Sequence, residues 1–175
     1  GFVMIVSSLG LLGRDDGARV FLTRRFVRII PLYWAATTLK LLILLATPAM
    51  VLHTSLDWSD TVLSYLFIPA LNQENEIKPL LGVGWTLNYE MFFYVLIAVA
   101  IAFRLGLLPL VAALILLVAA GYTFAPQATP IAFWTNGIIL EFALGVLLAL
   151  AHSGSVLRVV GLWPLALGVA LFAAL

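Results

Sequence analysis

The stretch Gly84-Trp85-Thr86-Leu87-Asn88-Tyr89-Glu90-Met91-Phe92-Phe93-Tyr94 places one carboxylate inside a run of apolar and aromatic residues long enough to cross a bilayer. An ionised side chain at that depth costs roughly 3 kcal/mol or more unless it faces the protein interior, is paired or takes up a proton, so Glu90 is a functional candidate. Thr86, Glu90 and Tyr94 recur at intervals of four, which stacks them on one helix face. That face should point at other helices and away from lipid. Trp85 and Tyr89 suit the aromatic belt of a membrane interface, which sets Glu90 roughly 8 Å deep at 1.5 Å per residue.

Working outward, hydrophobic residues make up 64% of the chain and charged residues 10%, with a mean hydropathy of +1.16. A soluble domain with a charged surface does not reach these values, so the chain is expected to sit in a membrane. Net charge is +1, and nothing points to nucleic acid. The absence of cysteine excludes disulfides and cysteine-ligated metal, and no metal site is expected.

Gly1 to Leu12 is apolar but shorter than the roughly 20 residues a crossing needs, and reads as the second half of a helix. The segment from Gly13 to Arg28 holds five of the nine basic residues, and the positive-inside rule makes it a cytoplasmic loop. Ile29 to Val51 follows as a full span, with Pro31 in its first turn and Lys40 as its only charge. The loop from residue 52 to 82 carries Asp57, Asp60, Glu74 and Glu76 and should lie outside. Within it, Thr61 to Leu71 reads as an interfacial or re-entrant piece. Three more spans come next: Gly84 to Phe103, Leu107 to Phe124, and Phe133 to Ala151 with Glu141, followed by a partial span from Val159. The expectation is an all-α, polytopic transmembrane helix bundle of about four complete spans plus a partial span at each end. It forms a single integral-membrane domain over residues 1–175, truncated at both ends. Of the basic residues between spans, this orientation places Arg14, Arg19, Arg24, Arg25, Arg28, Arg104 and Arg158 inside and only Lys78 outside.

Three constellations could carry chemistry. Arg25 and Arg28, three apart, share a helix face, and guanidinium forks bind phosphate oxygens in bidentate fashion; the alternative is an anchor reaching for lipid head groups. Glu90 and Glu141 should lie at similar depth near the outer surface, where they could line a polar cavity for acid–base work or proton relay. Alternatively each is a paired packing residue, with Lys40 as the available partner. His53 and His152 lie just beyond spans and read as ordinary interfacial residues.

Three segments resemble, in order and spacing, the acyltransferase 3 family of polytopic membrane O-acyltransferases: Gly1-Phe2-Val3-Met4, Phe21-Leu22-Thr23-Arg24-Arg25-Phe26-Val27-Arg28-Ile29-Ile30-Pro31-Leu32-Tyr33, and Gly84 to Tyr94. Leu140-Glu141-Phe142-Ala143-Leu144-Gly145 is similar to a later family helix. The resemblance covers nearly all of this chain, and the chain covers the middle of such a domain. It implies transfer of an acyl group, most often acetyl, from cytoplasmic acyl-CoA to a hydroxyl of a carbohydrate or lipid-linked glycan acceptor across a bacterial cytoplasmic membrane. By motif, Arg25 and Arg28 correspond to the pair the family uses near the CoA phosphates and Glu90 to the acid of its Trp-Ser/Thr-Leu-x-x-Glu motif. The family's catalytic His belongs to a first helix upstream of Gly1, so the fragment alone should be inactive. The donor would be gathered at the inner face by the arginines, with the carboxyls nearer the acceptor side. The competing readings are a proton-coupled transporter or flippase using Glu90, Glu141 and Lys40, and a non-catalytic membrane scaffold.

Overall fold

The computed structural model describes residues 1–46, 58–71 and 76–153. Among these the ordered elements are all helical: α1 (Phe2–Val6), α2 (Gly17–Ala46), α3 (Trp58–Tyr65), α4 (Trp85–Ala102), α5 (Leu107–Phe124), α6 (Thr129–Trp134) and α7 (Ile139–Ser153), with 3-10 turns at Leu9–Leu11 and Gly82–Gly84. Four helical stretches are long and apolar enough to cross a membrane: Gly17–Ala46, Gly82–Ala102, Leu107–Phe124 and Thr129–His152. Large apolar side chains stand exposed along them, among them Leu32, Leu108, Leu116 and Leu144. A surface of that kind is the one lipid tails require, since lipid gives no drive to bury it. His53, Asp57, Glu74, Arg158 and the expected last half-span lie outside the described residues.

The boundaries of α4 and α5 follow local chemistry. Gly84 ends a 3-10 turn and passes directly into α4, which closes at Arg104 in a left-handed conformation (φ 53°). Pro109 in the first turn of α5 loses nothing, because that N–H has no partner within a helix. Ala125 ends α5 in the left-handed region, and Pro126 prevents its continuation.

Two boundaries differ from the sequence reading. The basic segment is not a loop: only Gly13 to Asp16 is irregular, and α2 runs for 30 residues from Gly17. Nothing between Ala18 and Ile30 breaks a helix, and Arg and Leu favour one. Pro31 therefore lies inside α2 and not in its first turn. The expected Phe133 to Ala151 span is interrupted at Thr135–Ile138. There Asn136 Oδ1 accepts the Ile138 N–H (3.0 Å) and its carbonyl accepts the Ile139 N–H (3.1 Å), so Asn136 caps a new helix.

Helices α2 and α4 pack antiparallel. A Cβ on Gly17 would lie 3.0 Å from Ile101 Cγ2, and one on Gly84 would lie 2.8 Å from the Tyr33 ring, so those pairs fix the register at the two ends. Beyond Tyr33, α2 continues past the start of α4 and meets α3: Trp34 Nε1 donates to the Tyr65 carbonyl (3.0 Å), and the Thr38 and Tyr65 hydroxyls share a hydrogen bond (2.6 Å). On its other side α4 stacks three rings against α6 and α7, Tyr89 on Phe133, Phe92 on Trp134 and Phe93 on Phe142. Tyr89 is thus a buried packing residue and not part of an interfacial belt. Helix α1 crosses α7 closely enough that a Cβ on Gly145 would fall 2.6 Å from the Phe2 nitrogen, the close approach small residues permit. At the Arg104 end, Arg104 Nη2 donates to Asp15 (2.6 Å). There Arg14 donates twice to Asp16 (2.9 Å each), which holds the Asp16 carboxyl below its ordinary range.

Candidate functional site

The register of α2 on α4 decides where the functional groups meet. Arg24, Arg25 and Arg28 stand seven to eleven residues into α2, roughly 10 to 17 Å from its start. Because Gly17 sits beside Ile101 and Tyr33 beside Gly84, these arginines fall level with the Tyr89 to Tyr94 part of α4. The expected separation of guanidinium and carboxyl groups by depth is absent. The cause is the helical course of residues 17–30, which carries the arginines along α4.

Arg25 turns inward. Its guanidinium lies over the Phe21 ring (5.5 Å to the centroid) and the Tyr94 ring (5.4 Å), and Nη2 donates to Ser7 Oγ. Phe21 and Tyr94 meet edge to face at 5.9 Å. The Tyr94 hydroxyl donates to Glu90 Oε2 across one helical turn (3.0 Å). One phenol therefore separates the Arg25 cation from the Glu90 carboxylate, touching the first with its face and the second with its hydroxyl. A ring face attracts a cation and a phenol O–H strengthens in donating to a carboxylate, so Tyr94 holds both groups in place.

Arg24 and Arg28 are exposed. With Arg25, Phe21, Ser7 and Leu11 they line an open cavity of about 260 Å3 between α2 and the α1 segment. Three guanidinium groups around one cavity suit an anion with several oxygens, since each fork can donate twice. The sequence reading paired Arg25 with Arg28 and passed over Arg24 as a site residue; the four-residue step from Arg24 to Arg28 was the available signal.

A known protein resembles most of this chain. The exopolysaccharide production protein ExoZ of Rhizobium meliloti (strain 1021) is 36% identical over 156 residues, 87% of this chain and 47% of ExoZ. The chain thus spans about half the length of that relative. No family model matches the chain, and no solved structure matches it.

The other expected site residues are dispersed. Glu141 is exposed in the first turn of α7, where a carboxylate complements the helix dipole. It does not share the inward face that Glu90 occupies. Lys40 lies seven residues beyond Tyr33 while Glu90 lies six beyond Gly84 in the opposite direction, an axial separation of roughly 20 Å. Lys40 is therefore not the partner of Glu90. Thr86 is exposed, its hydroxyl donating to the Val83 carbonyl (3.1 Å). His152 packs edge-on against Phe2 (5.7 Å). Asn88, two residues before Glu90, is 1% exposed, and neither of its amide atoms has a hydrogen-bond partner among the described residues. Its spacing from Glu90 puts it on a different helix face.

Proposed function

We propose that this chain is part of a membrane O-acyltransferase that moves an acyl group, most simply acetyl, from acyl-CoA to a hydroxyl of a cell-envelope polysaccharide or its lipid-linked precursor. The observation that carries the reading is the assembly of Arg24, Arg25 and Arg28 around one cavity whose innermost guanidinium rests on the phenol that holds Glu90. Similarity to a protein of exopolysaccharide production supports a carbohydrate acceptor.

In this reading the phosphates of the donor lie against Arg24 and Arg28, and Arg25, already engaged by Ser7 and two rings, forms the cavity floor. The acceptor oxygen attacks the thioester carbonyl, the C–S bond breaks, and the thiolate leaves with the CoA. The acceptor proton passes to a general base, a role that the resemblance gives to a His outside this chain. Glu90 orients the acceptor hydroxyl by accepting its hydrogen bond while Tyr94 occupies the other carboxylate oxygen. Because the arginines and Glu90 are level, donor and acceptor meet within the bundle without the donor arm crossing the full membrane. A bacterial cytoplasmic membrane, with the Arg14–Asp16 end facing the cytoplasm, fits this direction. The transport reading needs Glu90, Glu141 and Lys40 on one path, and their dispersal supports no such path.

The test uses the full-length protein in nanodiscs with acetyl-labelled acetyl-CoA and polysaccharide from an acetyl-deficient host. Alkali-labile label on the polysaccharide, dependent on Glu90, is expected. Label released only as acetate, with none on the polymer from any acceptor preparation, overturns the proposal.

A further inference from the structure

The end of the bundle opposite Arg14, Asp16 and Arg104 holds a second cavity of about 330 Å3, where the end of α5 meets α6 and the turn into α7. Its lining includes Tyr122, Ala125, Gln127, Thr135 and Asn136, and among the described residues none that lines it carries a formal charge at neutral pH. The described lining therefore offers neither a guanidinium or ammonium group to a phosphate nor a carboxylate to a cation.

Its polar side chains are the Tyr122 phenol, the Thr135 hydroxyl, which donates to the Ile131 carbonyl (2.8 Å), and two amides. Gln127 Nε2 donates to the Ala125 carbonyl (3.1 Å), which leaves its Oε1 as an acceptor. Asn136 Oδ1 accepts the Ile138 N–H, which leaves its Nδ2 as a donor. Tyr122, 78% exposed, stands at the rim. A Cβ on Gly137 would come within 3.1 Å of its hydroxyl. The backbone here is tightly determined. A Cβ on Gly121 would lie 2.5 Å from Thr135 Cβ, and Ala125 takes the left-handed turn (φ 41°) that ends α5.

A concavity whose described lining is uncharged and offers amide donors and acceptors beside a phenol ring matches a sugar ring. Each sugar hydroxyl donates and accepts at one atom, and the C–H face of a pyranose lies against an aromatic ring. We infer that this cavity is a subsite for an uncharged hexopyranose, held by Tyr122, Gln127 and Asn136 at a distance from the reacting atoms. That the sugar belongs to the acyl acceptor rests on the acyltransferase reading; that the cavity takes a sugar does not. The subsite is tied to α4 through Tyr89, which stacks on Phe133 (3.9 Å) and donates to its carbonyl (3.0 Å), next to Glu90 on one side and two residues before Thr135 on the other.

The experiment is saturation-transfer NMR on the full-length protein in nanodiscs free of glycolipid and sugar detergent, with methyl glycosides of glucose, galactose and mannose as probes. At least one glycoside should show saturation transfer above that from empty nanodiscs, reduced at least fivefold in Tyr122→Ala and Asn136→Ala and unchanged in Arg28→Ala. Gln127→Ala, which leaves the α7 cap untouched, should give the same loss and covers the case in which Asn136→Ala disturbs the helix start. No transfer from any of the three glycosides, or equal transfer in wild type, Tyr122→Ala and Gln127→Ala, overturns the subsite. Binding of CoA, measured on the same samples, separates the two ideas. Sugar binding without CoA binding removes the acyltransferase reading and leaves the subsite, and CoA binding without sugar binding does the reverse.

Discussion

Glu90 and Glu141 each enter an apolar helix within two turns of its start, yet α4 aims the first at Tyr94 beneath the arginines while α7 leaves the second exposed in its opening turn. Composition and depth treat these two acids alike. What separates them is the face they occupy, and that is set by which neighbour each helix packs against. For α4 the register on α2 turns Glu90 toward the cation cluster. For α7 the buried face is Ile139, Ala143, Val146 and Ala149, and Glu141 falls outside it. One acid is built into a hydrogen-bonded arrangement and the other complements a helix terminus.

The largest effects that test this contrast are on the Glu90 side. Glu90→Gln should lower kcat roughly 100-fold or more, the cost of a misplaced reacting group, with CoA affinity preserved. A wild-type kcat would make Glu90 a packing residue, and the two acids would then be equivalent. Next comes Arg28→Ala, which removes an exposed guanidinium from the cavity; a hydrogen bond to a charged group is worth about 1.5–3 kcal/mol, so acyl-CoA affinity should fall roughly 10- to 100-fold in calorimetry while membrane insertion is unchanged. Wild-type affinity in Arg28→Ala would place the donor elsewhere.

Tyr94→Phe sharpens the comparison, because it keeps the ring beneath Arg25 and deletes the hydroxyl that bonds Glu90. A hydrogen bond to a charged group is worth about 1.5–3 kcal/mol, so kcat should fall roughly 10- to 100-fold with donor affinity within twofold. Tyr94→Leu should weaken donor binding as well, since the cation loses its platform. If both variants lower kcat equally and neither touches CoA affinity, Tyr94 does not link the two groups.

Much of this arrangement was legible in the residues themselves. The bounds of α5 match the sequence reading at both ends because Gly106 and the Ala125–Pro126 pair punctuate an uninterrupted apolar run. The step of four between Glu90 and Tyr94 foretold their contact. Charge misleads as a sign of loop: Arg19 to Arg28 carry no helix breaker, and the Arg25 charge is held beside α4 by the Phe21 and Tyr94 rings, a tertiary effect that spacing within one segment cannot show. The inverse error occurred at Thr135–Ile138, where an apolar run hid a cap because Asn136 and Gly137 were weighed as part of the span. Register between helices was the main quantity out of reach, and it alone decides that arginines and carboxylate are level.

The smallest effect expected is the one most able to break the contrast. Glu141→Gln removes a charge from the first turn of α7, where the dipole contribution of an exposed carboxylate is about 0.3–1 kcal/mol. Asn136 remains as the cap, so the melting midpoint in detergent should move by a few degrees at most, and kcat and CoA affinity should stay within twofold of wild type. The reason is geometric: an exposed side chain on the far side of the α7 packing face has no route to the Arg25–Tyr94–Glu90 arrangement except through the bundle itself. A fall in kcat as deep as that of Glu90→Gln, with the midpoint unchanged, would mean that the two acids act together on the substrate. In that case the face each helix buries would not be what distinguishes them.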